Sequence, residues 1–78
     1  MAISEYILKE CIPPVSGYNA LKSLVGWKVL PDAPTKIALD NSLYAVCLFR
    51  DGDLVATGRI IGDGYVYFHI QDVIVHPG

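Results

Sequence analysis

The chain has 78 residues, 53% hydrophobic and 18% charged, with a formal net charge of −2. A length of this order gives one domain at most, and only a little over ~60% of the unfolded chain's surface is buried on folding. The scattered lysines and arginines offer no basic footprint for DNA or RNA, and the shortage of polar residues predicts that another chain covers part of the apolar surface.

In the N-terminal stretch "MAISEYILKE", acidic residues interrupt every apolar run. It therefore reads as neither a secretory leader nor a membrane span, and the expectation is a soluble, cytoplasmic protein with no membrane partner. Residues 5–10 alternate as a short strand, which Pro13-Pro14 forbids continuing as a ladder. The apolar residues Tyr18, Leu21, Leu24 and Val25 fall at helical spacing and predict a helix over 18–25, stopped near Gly26. Asp32 can cap a second helix from 33 to about 41, where Pro34 is tolerated in the first turn.

Three apolar runs follow, separated by turn signals. "SLYAVCLF" (42–49) is almost continuously apolar, which suits a strand covered on both faces. Asp51-Gly52 supplies the pair that a two-residue hairpin needs for positive φ. "LVATGRII" (54–61) places Leu54, Ala56, Gly58 and Ile60 on one face, and 62–64 makes the next turn. "YVYFHIQDVIV" (65–75) reads as a long third strand of an antiparallel meander. The fold class expected is α+β, in the order β-α-α-β-β-β, with the meander at about 43–49, 53–61 and 65–75.

Few residues invite a chemical role. Strict alternation along the last strand puts His69 and Asp72 on opposite faces, so they form no dyad. The same alternation puts Tyr65, Tyr67, His69, Gln71, Val73 and Val75 on one face, mixed enough to wall a substrate site. Trp27 admits a place in the core or in a pocket lining. Cys11 and Cys47 lack Cys-x-x-Cys spacing and sit in apolar settings, where a buried thiol is the default. Two histidines without convergent carboxylates or thiolates predict no metal site.

The run "YNALKSLVGW", followed by "NSLY", the hairpin, "GRIIGDG" and "IQDVIVHP", resembles the N-terminal half of a GNAT-superfamily N-acetyltransferase across nearly the whole chain. The resemblance implies that the last strand is the family's fourth. There the backbone of Val73, Ile74 and Val75 would hydrogen-bond the acetyl group and pantetheine arm of acetyl-CoA. His69 stands where some relatives carry a glutamate general base, and it could accept a proton from an ammonium substrate. Trp27, Tyr44, Tyr67 and Gln71 would wall the amine pocket.

Against that pattern, the sequence stops before the family's Arg/Gln-x-x-Gly-x-Gly/Ala pyrophosphate loop, its fifth strand and its tyrosine general acid. The resemblance thus predicts a single truncated acetyltransferase-like domain over 1–78, inactive alone and completed by a complementary C-terminal half. The alternative is a non-catalytic assembly or binding module formed by self-association. In either case an open sheet edge and face predict pairing, most simply as a homodimer.

Overall fold

The computed structural model describes residues 5–78; the first four residues of the N-terminal stretch lie outside the described residues. The elements are β1 (Tyr6–Lys9), α1 (Val15–Leu24), α2 (Asp32–Asp40), β2 (Tyr44–Arg50), β3 (Asp53–Gly62) and β4 (Phe68–Val75). The expected α+β order is therefore observed. All pairings are antiparallel and the sheet runs β1-β2-β3-β4, so β1 and β4 are its edges. Helix α1 packs on β3 and β4, and α2 packs on α1. The molecule is only 17 Å through its thinnest direction, the depth of one sheet and one helix layer.

The turns explain the element boundaries. Asp51 and Gly52 adopt φ of 51° and 89°, while Arg50 pairs with Asp53. This is the two-residue primed turn that Asp-Gly predicts. Strand β4 starts at Phe68 rather than 65 because Asp63 competes for the backbone. Its Oδ1 accepts the amides of Tyr65, Val66 and Tyr67 at 2.8, 2.9 and 3.1 Å, which withdraws them from the ladder. Those bonds hold the Asp63 carboxyl below the ordinary carboxylate range.

Gly62, at φ 144°, closes this turn, and a Cβ built there would collide with the Tyr67 carbonyl. Gly62→Ala is expected to cost on the order of 1–3 kcal/mol, the usual range for a forced backbone conformation. Urea unfolding reads the loss, and a variant within about 0.5 kcal/mol of the parent would contradict it.

Two bulges reset the strict alternation. In β3, Leu48 pairs with Ala56 but Phe49 pairs with Leu54, so Val55 is an extra residue. Leu54 therefore turns to the helix side, where it packs against the core, while Ala56, Gly58 and Ile60 keep the other face. In β4, Ile74 pairs with Thr57 and Gln71 with Arg59, so Asp72 and Val73 together face Gly58 alone. Each bulge inverts the facing of everything beyond it.

The core is small: Tyr18, Leu21, Leu39 and Ile74, flanked by Val15, Val25 and Leu54. It lies between the helices and one sheet face, with Ala45, Cys47 and Thr57 buried beneath. The other sheet face is open. Strand β2 is covered on one side only, in contrast to the two-sided burial its apolar run suggests. Val46 and Leu48 look into a shallow apolar trough of about 440 Å³. Around it Leu8, Ile70, Val73 and Val75 remain 64–70% exposed.

Candidate functional site

The bulge in β4 is the centre of the most constrained chemistry in the molecule. Asp72 occupies it with φ 58°, a left-handed conformation that an Asp tolerates better than most residues. Its side chain is buried on the helix side. Oδ2 accepts the Tyr18 hydroxyl of α1 and, at 2.7 Å, Arg59 Nε of β3; Oδ1 accepts Gln71 Nε2 at 3.1 Å. Arg59 in turn donates to Ser42 Oγ at 3.1 Å and to the Ala38 carbonyl at 3.3 Å. One carboxylate thus ties α1, the end of α2, β3 and β4 together.

The electrostatics follow from that packing. Burial pushes the Asp72 carboxyl up, but the hydrogen bonds from Tyr18, Arg59 and Gln71 and the Arg59 charge outweigh it, and the group sits below its ordinary value. Burial, reinforced by the bond to Asp72, pushes the Tyr18 hydroxyl up to about 12. The ion pair is the ionised, hydrogen-bonded kind that tolerates burial.

The network extends to the solvent. Gln71 Oε1 lies 3.0 Å from His69 Nε2, so His69 joins Asp72 through one amide. The face containing Tyr65, Tyr67, His69, Gln71, Val73 and Val75 in strict alternation is not formed. The bulge sends His69, Gln71 and Asp72 to the helix side, and the turn at Asp63 takes Tyr65 and Tyr67 out of the strand. For the same reason His69 and Asp72 share a face.

Neither a protein-family model nor a curated protein matches the sequence. Solved structures do. A protein of unknown function from meticillin-resistant Staphylococcus aureus, designated "Probable Acetyltransferase", is 30% identical with a TM-score of 0.85. A GNAT family acetyltransferase from Streptococcus pneumoniae TIGR4 is 26% identical with a TM-score of 0.76. Each match covers 94% of this chain but only 55% and 54% of the respective neighbour, so the chain spans about half their length.

The chain carries half of a GNAT acetyltransferase fold.

Within this GNAT half-fold, the residues singled out from the sequence fall in different places. Val73 lies in the bulge and Ile74 and Val75 follow it on edge strand β4, whose outer side has no strand partner among the described residues. His69 and Gln71 are brought together. Tyr44 lines the open-face trough, whereas Trp27, Tyr67 and Gln71 do not. Trp27 is 44% exposed beyond α1, its amide bonded to the Lys22 carbonyl, and Tyr67 is 74% exposed in the turn.

The cysteines are free, with Cys47 buried and its thiol 3.3 Å from the Cys11 carbonyl. Burial pushes the Cys47 thiol up to about 11, away from thiolate chemistry. Among the described residues, no three His, Cys, Asp or Glu side chains group to hold a metal, and no helix is long and apolar enough to cross a membrane.

Sequence reading missed the Tyr18–Asp72–Arg59 cluster. Its signal was an aspartate in the middle of the apolar run "IQDVIV", with an arginine on the preceding strand of the same meander.

Proposed function

We propose that the chain is one half of an acetyl-CoA-dependent N-acyltransferase, a cytoplasmic domain over 1–78 that does not catalyse acetyl transfer by itself. The observation that carries this reading is a bulged edge strand, β4, set within a GNAT half-fold. A bulge leaves backbone groups outside the ladder, and an unpaired edge leaves more, so β4 offers the donors that an acyl carbonyl and an amide-bearing arm need. Val73, Ile74 and Val75 would hold that end of acetyl-CoA, which when bound supplies the acyl group. His69 would accept the proton of the amine acceptor, with Gln71 beside it. Trp27 and Tyr67 would line the acceptor's approach only after a complementary half has joined the fold, whereas Tyr44, on the open face opposite His69, would not.

Calorimetric titration with acetyl-CoA tests the reading. The expected result is weak but saturable binding by the 78-residue chain with no turnover of amine acceptors. Absence of any binding would leave the fold without the family's cofactor role and favour an assembly module.

The open sheet face supports a second reading, that the chain self-associates. Four strands about 4.8 Å apart and some seven residues long at ~3.3 Å each present roughly 450 Å² in projection, and side chains standing off the sheet add to this. Two copies face to face would bury on the order of 1,000 Å², about the least a specific interface needs. The trough is lined almost wholly by apolar side chains, so two identical faces meet without like-charge repulsion. A second copy is the occupant proposed, and a complementary half that displaces it is the other outcome of the association experiment below.

A further inference from the structure

A glutamine side chain has a donating end and an accepting end, so two neighbours placed one at each end meet opposite polarities. Gln71 sits between Asp72 Oδ1 at 3.1 Å and His69 Nε2 at 3.0 Å. Asp72 is an ionised carboxylate held by Arg59 at 2.7 Å and by the Tyr18 hydroxyl, so it accepts only. The Gln71 amide nitrogen must therefore turn to Asp72, and its oxygen is left facing the imidazole. An amide oxygen accepts only, so His69 Nε2 has to carry the hydrogen. The polarity of the buried ion pair is thereby transmitted to a ring at the surface through one side chain.

We infer that Gln71 is a positioning residue that locks His69 in its Nε2–H form, making Nδ1 the atom that takes up and releases a proton. Nε2 keeps its hydrogen in both the neutral ring and the imidazolium, since either form donates to Gln71. The base is therefore defined at one nitrogen before any substrate arrives. Only the last step, in which Nδ1 accepts the proton of an amine, rests on the acyltransferase reading. The tautomer itself follows from the hydrogen bonds alone.

Long-range 1H–15N correlation spectra of the 15N-labelled chain, recorded at about pH 8.5 where an imidazole is neutral, test the inference. The protein has two histidines, and His76 Nδ1 already accepts the Gly78 amide at 2.9 Å, so the His76→Asn background isolates the His69 signals. Expected is the Nε2–H pattern, with a ratio of Nε2–H to Nδ1–H forms higher than in Gln71→Leu by roughly two- to tenfold, the worth of one hydrogen bond. Gln71→Asn, which keeps the amide but shortens its reach, should behave like Gln71→Leu and serves if the leucine variant does not fold. A dominant Nδ1–H form, or the same ratio with and without Gln71, overturns the inference. Acetyl-CoA titration of the same proteins separates the two readings: a locked tautomer without cofactor binding defeats the acyltransferase reading only, and cofactor binding with an unlocked ring defeats this one only.

Discussion

Replacing Asp72 by alanine is expected to cost roughly 3–5 kcal/mol, as removing one partner of a buried ion pair does. A chain of this length has on the order of 4–12 kcal/mol in total, so the variant stands near or below the threshold of folding. The loss has several parts. Arg59, whose side chain is 13% exposed, would keep only Ser42 and the Ala38 carbonyl. The Tyr18 hydroxyl, on a residue 4% exposed, would lose its acceptor. Alanine would also have to hold φ 58° without the local hydrogen bonding that lets Asp do so. Asp72→Asn keeps the backbone preference and one acceptor oxygen, and should lose less. Urea unfolding that finds Asp72→Ala within about 1 kcal/mol of the parent would refute the role given to the cluster.

The same cluster fixes the expected pH dependence. Asp72 titrates below its ordinary value when folded, so between the two values the unfolded chain binds the extra proton. Its stabilisation is complete well above about pH 4, the unfolded carboxyl range, and is lost as pH falls through the lower folded-state value. Tyr18 works in the opposite sense. Its hydroxyl is raised to about 12 in the fold, so its contribution is whole below about pH 10, the unfolded value, and disappears as pH climbs toward the folded one. The Asp72→Asn variant should lose the acid limb that this group contributes, leaving a flatter stability profile as pH falls below about 4, the unfolded carboxyl range.

Element order was legible because each element carries its own local signal. Helical spacing at Tyr18, Leu21 and Leu24 and Asp-Gly at 51–52 act within a few residues, and the fold obeys them. The facing of the strands was not, because alternation counts residues and a bulge adds one without changing composition. Val55 and the Asp72–Val73 pair each shift the count, and that alone moves Leu54 into the core and separates Val73 and Val75 from His69 and Gln71. The candidate site was half visible for the same reason. His69 and Gln71 stood out as polar residues in an apolar strand, but alternation alone puts the residue that orients them, Asp72, on the opposite side, and only the bulge brings it to theirs. The apolar run of β2 pointed to a covering layer on both faces. Only one lies within the described chain, which makes the other face a question about association.

Placing a charge on that face should separate association from folding. Ile70 is 70% exposed at the rim of the trough and pairs with Ile60 across the sheet. Ile70→Glu removes no buried contact within the chain, so its stability should stay within about 0.5 kcal/mol of the parent, as for surface substitutions generally. In a face-to-face dimer the same carboxylate would be forced into an apolar contact opposite its own copy, where desolvation and like-charge repulsion add. A position of that kind is worth 2 kcal/mol or more, a fall in association constant of roughly 30-fold or beyond. Sedimentation across a concentration series measures it, with the parent dimeric at tens of micromolar and the variant monomeric. A parent that sediments as a folded monomer, or a variant that dimerises as well as the parent, removes the self-association reading. If an added complementary half dissolves the parent dimer into a one-to-one complex and Ile70→Glu weakens that complex too, the face belongs to the completion of the fold.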